Sequence, residues 1–298
     1  MIKNSTGKNK IIIKIGGGLG NQLFQYALGR NLALTGNKEV KFDLSWFNTY
    51  KERKYKLDHF NTVTEIGTKS EIKAVKKYGK KYGRLAFLHN RLFIDDSIYI
   101  KQKDAADFDP KIFQINRSVY LDGIWHSEKY FKQIEDSVRK EVKLKNHPHE
   151  GFEEIAERMG RENSVSLHVR RGDYLTMSKA IKTMNVCSIE YYNEAVKIIA
   201  SKVKNPIFFV FSDDINWAKE NLKLNFPVFF VSNKVIPDYE ELILMSKCKH
   251  NIIANSSFSW WGAWLNMNHN KIVILPKNWF KDKEKSTKDI APNNWIKI

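Results

Sequence analysis

The clearest pattern in the chain is in its second half, where short apolar runs alternate with mixed stretches of helical spacing. "SVSLHV" (164–169), "IFFVFSDD" (207–214), "VFFVS" (228–232), "NIIANSS" (251–257) and "KIVILP" (271–276) read as strands. Between them, "SIEYYNEAVKIIASKVK" (188–204), "INWAKENLKL" (215–224), "PDYEELILMSKC" (237–248) and "FSWWGAWLNM" (258–267) read as helices. Strands that are apolar on both faces, each followed by a helix, predict a parallel sheet covered on both sides.

The first half opens the same way, with a strand at 11–15, a helix at 21–34, and a strand at 39–45. A less regular, basic middle follows, and "VYLDGIWHSEKYF" (119–131) carries a further strand and the start of a helix. The polar, proline-containing "KLKNHPHEG" (143–151) is the natural seam. The predicted architecture is α/β: two Rossmann-like domains facing a cleft, residues 1–147 and 148–298. In such folds ligands bind at the carboxyl ends of the strands.

Several loops at those ends carry chemistry. The first strand runs into Gly16, Gly17, Gly18 and Gly20. A dinucleotide fingerprint starting at Gly16 would need a third glycine where Asn21 stands, and no Gly-Lys-Ser/Thr follows to make a P-loop. What remains is bare backbone at a helix start, which favours anions and polar groups. Asn21 and Gln22 on that first turn offer amides suited to sugar hydroxyls. The alternative is a packing turn whose glycines only permit unusual φ angles.

In "SLHVRRGDYL" (166–175), alternation puts His168 and Arg170 on one face and Arg171 on the other. An arginine fork suits phosphate and keeps its charge, although Asp173 also offers it a structural partner. Asn255, Ser256 and Ser257 precede an apolar helix whose N-terminus favours a phosphate, unless it is simply capped. Asp213 and Asp214 end a strand, where a carboxylate can bind a ribose or base edge or cap the next helix. Trp260, Trp261 and Trp264 read as core before they read as a stacking surface. Asp107-Phe108-Asp109 reads as a turn, and no cluster has metal-ligand spacing.

Composition narrows the partners. The chain has 298 residues and a net charge of +17, with the densest basic stretch between Lys69 and Lys103. Ile72, Val75, Tyr78 or Gly79, Tyr82 and Leu85 recur there at helical spacing, so this stretch is either a solvated helix packed by one stripe or a basic helix lying on an anionic membrane. No nucleic-acid reading motif accompanies the charge, which argues against a nucleic-acid partner. Two distant cysteines, Cys187 and Cys248, suggest a reducing compartment, and the N-terminal run is neither a signal peptide nor a membrane span. A cytoplasmic protein, in peripheral contact with the inner membrane if at all, is expected.

Taken together, "GGGLGNQLFQYALGRNLA", "HVRRGDYL", "FSDDINW" and "DYEELILMSKCKHNIIANSSFSWWGAWLN" resemble the α-1,2-fucosyltransferases of glycosyltransferase family 11, over residues from about 11 to 280. The resemblance implies a two-domain GT-B fold, GDP-β-L-fucose as donor, and inverting transfer to the 2-hydroxyl of an acceptor sugar, usually galactose. It implies no cofactor and no required metal. Family members from eukaryotes carry an N-terminal anchor; none is evident here, which implies a bacterial type acting on cytoplasmic precursors of surface glycans such as O-antigen or capsule. By similarity, His168 and Arg170 meet the nucleotide. Arg170 is the main β-phosphate contact, supported by Arg171. Asp213 or Asp214 shapes the donor pocket, and Asn255, Ser256 and Ser257 belong to the diphosphate side. Gly17, Gly18, Gly20, Asn21 and Gln22 face the acceptor side. The general base is not identified by any motif; Asp173 is the first candidate, with Asp43 and Glu128 behind it.

Overall fold

The computed structural model describes residues 9–36, 38–81, 97–103, 106–233, 235–282 and 287–298. The chain divides into two compact units. The first is Met1–Val142 with Lys288–Ile290, and the second is Lys143–Thr287 with Ala291–Ile298. The division falls a few residues before the boundary read from the sequence. The return of Lys288–Ile290 to the first unit had no signal in the composition. Asp289 accounts for it: its carboxylate accepts the Phe108 amide at 3.1 Å and the Lys129 ammonium at 2.5 Å.

The first unit holds β1 (Lys10–Lys14), α1 (Leu19–Gly36), β2 (Glu39–Asp43), α2 (Trp46–Thr49), α3 (Lys69–Lys81), β3 (Ser97–Lys101) and β4 (Ser118–Asp122). Its four strands are parallel, in the order β2-β1-β4-β3. Ile11, Ile12 and Ile13 are fully buried, as a central strand covered on both faces requires. The glycine in the middle of α1 brings the helix onto β2. A Cβ on Gly29 would lie 2.8 Å from the Phe42 ring.

Helix α3 is the first described part of the basic stretch; Tyr82, Arg84 and Leu85 lie outside the described residues. Its apolar stripe is already used, because Ile72 and Val75 pack on Ile12 and Tyr120 of the sheet. Glu71 accepts Lys10 at 2.6 Å and Lys41 at 2.8 Å, and Lys76 reaches Asp43 at 2.6 Å. Fully burying a residue such as Val75 contributes roughly 1.5–3 kcal/mol. Turning this stripe to a membrane would forfeit that and take Lys76 from the buried Asp43. The packed-helix alternative therefore describes Ile72 and Val75, while Tyr82 and Leu85, further along that stripe, lie outside the described residues.

The second unit holds α4 (Phe152–Arg161), β5 (Ser164–Val169), α5 (Gly172–Thr176), α6 (Ile189–Lys202), β6 (Ile207–Ser212), α7 (Ile215–Asn221) and β7 (Val228–Phe230). It continues through α8 (Asp238–Lys247), β8 (His250–Ile252), α9 (Ser257–Leu265), β9 (Val273–Leu275) and β10 (Ile296–Lys297). The six strands are all parallel, in the order β10-β9-β8-β5-β6-β7. All six residues of β5 are buried. The tryptophans of α9 are core: Trp260, Trp261 and Trp264 are at most 2% exposed and pack on one another, and Trp260 meets Trp295 at 5.4 Å. A Cβ on Gly262 would lie 2.7 Å from Met245, so α8 and α9 approach closely at that point.

Both strand orders have a switch point. From β5 the chain runs outward to β6 and β7, then returns to place β8 on the other side of β5. In the first unit it runs from β1 to β2, then places β4 on the other side of β1. Crevices at the carboxyl ends of such strand pairs are where open α/β sheets bind ligands. They lie at Arg170 with Asn255 in one unit, and at Gly16–Gly18 with Gly123 in the other. Among the described residues, no helix is long and apolar enough to cross a membrane.

Candidate active site

At the end of β5, Arg170 is gripped by two carboxylates. Its guanidinium donates to Asp173 at 2.5 Å and lies 3.0 Å from Asp213. Its Nε is buried with no hydrogen-bond partner. Arg171 donates its backbone amide to Asp213 at 2.9 Å, approaches Asp214 at 3.6 Å, and stacks on Trp217 at 3.8 Å. Gly172 is required here: a Cβ would lie 2.6 Å from Oδ2 of Asp213. Asp214 also caps α7 through the Trp217 amide, so the capping role foreseen for it is filled.

His168 is 3% exposed, and its Nδ1 has no partner. Burial, helped by the Arg170 charge, pushes its pKa down to about 3, so the ring is neutral. A buried unpaired donor or acceptor costs about 1–3 kcal/mol. His168 Nδ1 and Arg170 Nε are two such atoms at the end of β5.

Across the switch point, Asn255 is fully buried. Its amide donates to the carbonyls of Asn185 at 2.6 Å and Trp279 at 2.9 Å, and its side-chain oxygen receives the Cys187 thiol at 3.6 Å. Asn255 therefore shapes its loop and does not project a side chain toward a ligand. Ser256 is N-cap of α9, accepting the Phe258 amide at 3.3 Å, and Ser257 opens the helix. The two loops are tied together by Tyr174, whose hydroxyl donates to the Asn255 carbonyl at 2.9 Å. Behind them, Tyr192 donates to the His168 carbonyl at 3.2 Å. Neither tyrosine carried a sequence signal, because "DYL" and "EYYNEA" read equally well as core.

Glu241 of α8 was also missed. Burial pushes its carboxyl up to about 7, opposed by a hydrogen bond with Ser232 and reinforced by Asp238 and Asp213. The folded protein thus binds this proton more tightly than the unfolded chain, whose glutamate titrates at 4.5. Stability is lost as pH rises from 4.5 through about 7. Glu241→Gln is expected to raise the melting temperature at pH 8, with the gain shrinking toward pH 5; equal gains at both values would contradict the buried proton.

In the first unit, Gly17 adopts φ +83°, which explains a glycine there. Asn21 stands against this turn: a Cβ on Gly17 would meet its side chain at 2.8 Å. Gly18 lies near Arg53, and Gly20 is buried within α1. Gln22 corrects the expectation of a ligand-facing amide. It is fully buried, donating to the carbonyls of Gly17 at 3.0 Å and Lys54 at 2.9 Å and accepting the Lys56 amide at 3.0 Å. Gln25, not singled out in the sequence, braces the same turn between the Gly16 amide and the Gly123 carbonyl.

The base candidates change as well. Asp43 is fully buried and accepts Lys76, Tyr120 and the Ser45 amide. Burial pushes its carboxyl up, but those hydrogen bonds outweigh it and hold the pKa below the ordinary value. With its oxygens filled, it cannot collect a substrate proton. Glu128 faces Lys132 at 3.4 Å. Asp173 is bound to Arg170, as an arginine partner would be. Asp107–Asp109 caps a short turn, with Asp109 accepting the Lys111 amide. Among the described residues, no group of three or more His, Cys, Asp or Glu could hold a metal ion.

The sequence signature described as glycosyl transferase family 11 matches residues 10–298. The chain belongs to this family. It is 32% identical over 303 residues to an α-1,2-colitosyltransferase of Escherichia coli, covering 97% of this chain and 98% of that one. It is 33% identical over 310 residues to the O-antigen biosynthesis glycosyltransferase WbnK of Escherichia coli, covering 95% and 99%. Among solved structures, an Arabidopsis thaliana FUT1 mutant in complex with GDP superposes with a TM-score of 0.54 at 11% identity, over 96% of this chain and 75% of that one. That likeness concerns the fold, and it agrees with two parallel α/β sheets in a family 11 chain.

Proposed function

We propose that this family 11 protein transfers L-fucose from GDP-β-L-fucose to the 2-hydroxyl of a galactose residue in a surface-glycan precursor, with inversion. One observation carries the donor side: Arg170, with an unpartnered buried Nε, stands at the switch point of the second sheet, across from the N-terminus of α9. The motifs that resemble α-1,2-fucosyltransferases supply the sugar, and the α-1,2 linkage and O-antigen role in the names of the two relatives agree with the linkage and the acceptor.

The acceptor oxygen attacks the anomeric carbon from the face opposite GDP. As the new C–O bond forms, the bond to the β-phosphate oxygen breaks and GDP departs with its electron pair. Arg170 and the amides at Ser257 take up the growing phosphate charge in preformed positions. Asp173 and Asp213 position Arg170; we assign neither to proton transfer. The acceptor proton leaves to solvent as bond breaking runs ahead of attack. His168, neutral, lies against the nucleotide, and Arg171 supports Arg170. No metal is required in this scheme.

The test is incubation with GDP-fucose and lactose, with and without EDTA, following GDP release and the product linkage by NMR. A 2-fucosylated trisaccharide, formed equally with EDTA, is expected. Turnover with a colitose-carrying donor and none with GDP-fucose would move the assignment to the sugar named for one relative. Turnover abolished by EDTA would overturn the metal-free scheme.

A further inference from the structure

A small aromatic surface beside the glycine turn of the first unit is left unused by the donor chemistry. Helix α2 begins directly after β2, the strand next to β1. Its start is fixed by Asp43, whose Oδ1 accepts the Ser45 amide at 2.9 Å. Trp46 then packs against the turn: a Cβ on Gly16 would lie 2.9 Å from the indole, so only glycine admits this contact. One helical turn on, the Tyr50 ring stacks on Trp46 with centroids 4.6 Å apart and planes at 15°. Phe47 braces the indole edge-on at 5.2 Å and meets Tyr55 at 6.1 Å.

The outermost ring is exposed. Tyr50 is 56% accessible, although its inner face is held by an indole that is itself fixed on backbone. A tyrosine serving only the core would be buried, and a tyrosine serving only solubility would have no need of a stacked support. A rigid aromatic ring with its hydroxyl in water presents an apolar face at little entropic cost. The flanking positions are polar, with Asn48 and Glu52 exposed and Arg53 beside Gly18. A flat apolar face ringed by hydrogen-bonding groups complements a neutral pyranose, which has C–H bonds on one face and hydroxyls on its rim. The four-residue α2 offers no dipole site for a phosphate.

We infer that Tyr50, stacked on Trp46, is the platform for a neutral sugar ring of the acceptor. This inference rests on the glycosyl-transfer reading above. The rival occupant of an aromatic face is the guanine base of the donor, and the experiment separates the two.

Saturation-transfer NMR with lactose as probe, GDP present, is run on the wild type, Tyr50→Ala and Tyr50→Phe. Calorimetric titration of GDP alone accompanies it. Tyr50 is exposed, so its replacement leaves the fold intact, and the melting temperature checks this. Truncation is expected to raise the lactose dissociation constant about 3- to 10-fold, with Tyr50→Phe restoring most of it and GDP affinity unmoved. An unchanged lactose constant in Tyr50→Ala overturns the platform. So does a loss confined to GDP, which would give the ring to the base, and so does a wild type that binds GDP but not lactose. A wild type that binds neither would overturn the transferase reading itself.

Discussion

Arg170→Ala is expected to lower kcat by about 10³-fold, the scale seen when a charge-stabilising group at a transferring phosphoryl is removed. The reason lies in how the residue is held. Asp173 and Asp213 fix two of its three nitrogens, so the fork is immobile before any ligand arrives. In the proposed mechanism its charge meets the charge that develops as the bond to GDP breaks. Arg170→Lys keeps the charge but not the planar fork, and a lysine cannot satisfy both carboxylates in the same geometry. It is expected to recover only a small part of the lost rate. Steady-state kinetics of GDP release would decide, and a lysine variant close to wild type would show that a point charge is enough. Asp173→Asn should fall between them, because it loosens the grip on Arg170 without removing the guanidinium.

The second large effect is on stability. Asn255→Leu keeps the branching of a fully buried side chain but removes its partners from the Asn185 and Trp279 carbonyls. Each of the two stranded carbonyls costs about 1–3 kcal/mol, so a total of about 2–6 kcal/mol is expected. In a unit of this size that lowers the melting temperature by roughly 5–15 °C. The same loop accepts the Tyr174 hydroxyl and leads into the Ser256 cap, so GDP affinity should fall with stability. Thermal unfolding with and without GDP measures both. A melting temperature within a degree of wild type would mean that the loop is held by something other than Asn255.

The second sheet was legible in the sequence because its strands are short, apolar on both faces and separated by helices of clear period. Ends moved by a residue or two: the strand read at 228–232 is Val228–Phe230, and the helix read at 258–267 is Ser257–Leu265. The tryptophans were correctly weighed as core because a helix with three of them has too much apolar surface to leave wet. In the first unit, β3 was not read, since "SIYIK" is an unremarkable edge strand in a basic stretch. The site residues divide by mechanism. Arg170 and Asp213 were visible as charges at the ends of apolar strands. Gln22 misled because an amide on a first helical turn reads the same whether it faces a sugar or a neighbouring loop. Two of its three bonds, to Lys54 and Lys56, depend on a segment more than 30 residues away. Tyr174, Tyr192 and Glu241 were hidden for the same reason: each acts across the sheet, and local pattern carries no information on such pairs.

Arg170 is the proposed receptor for the donor diphosphate, and calorimetric titration of GDP into wild type and Arg170→Ala, without divalent metal, tests this role most directly. Measurable GDP binding by the wild type, weakened at least about 100-fold in the variant, is predicted, a difference of about 2.7 kcal/mol. Equal GDP affinity in the two proteins would contradict it and place the diphosphate elsewhere in the chain.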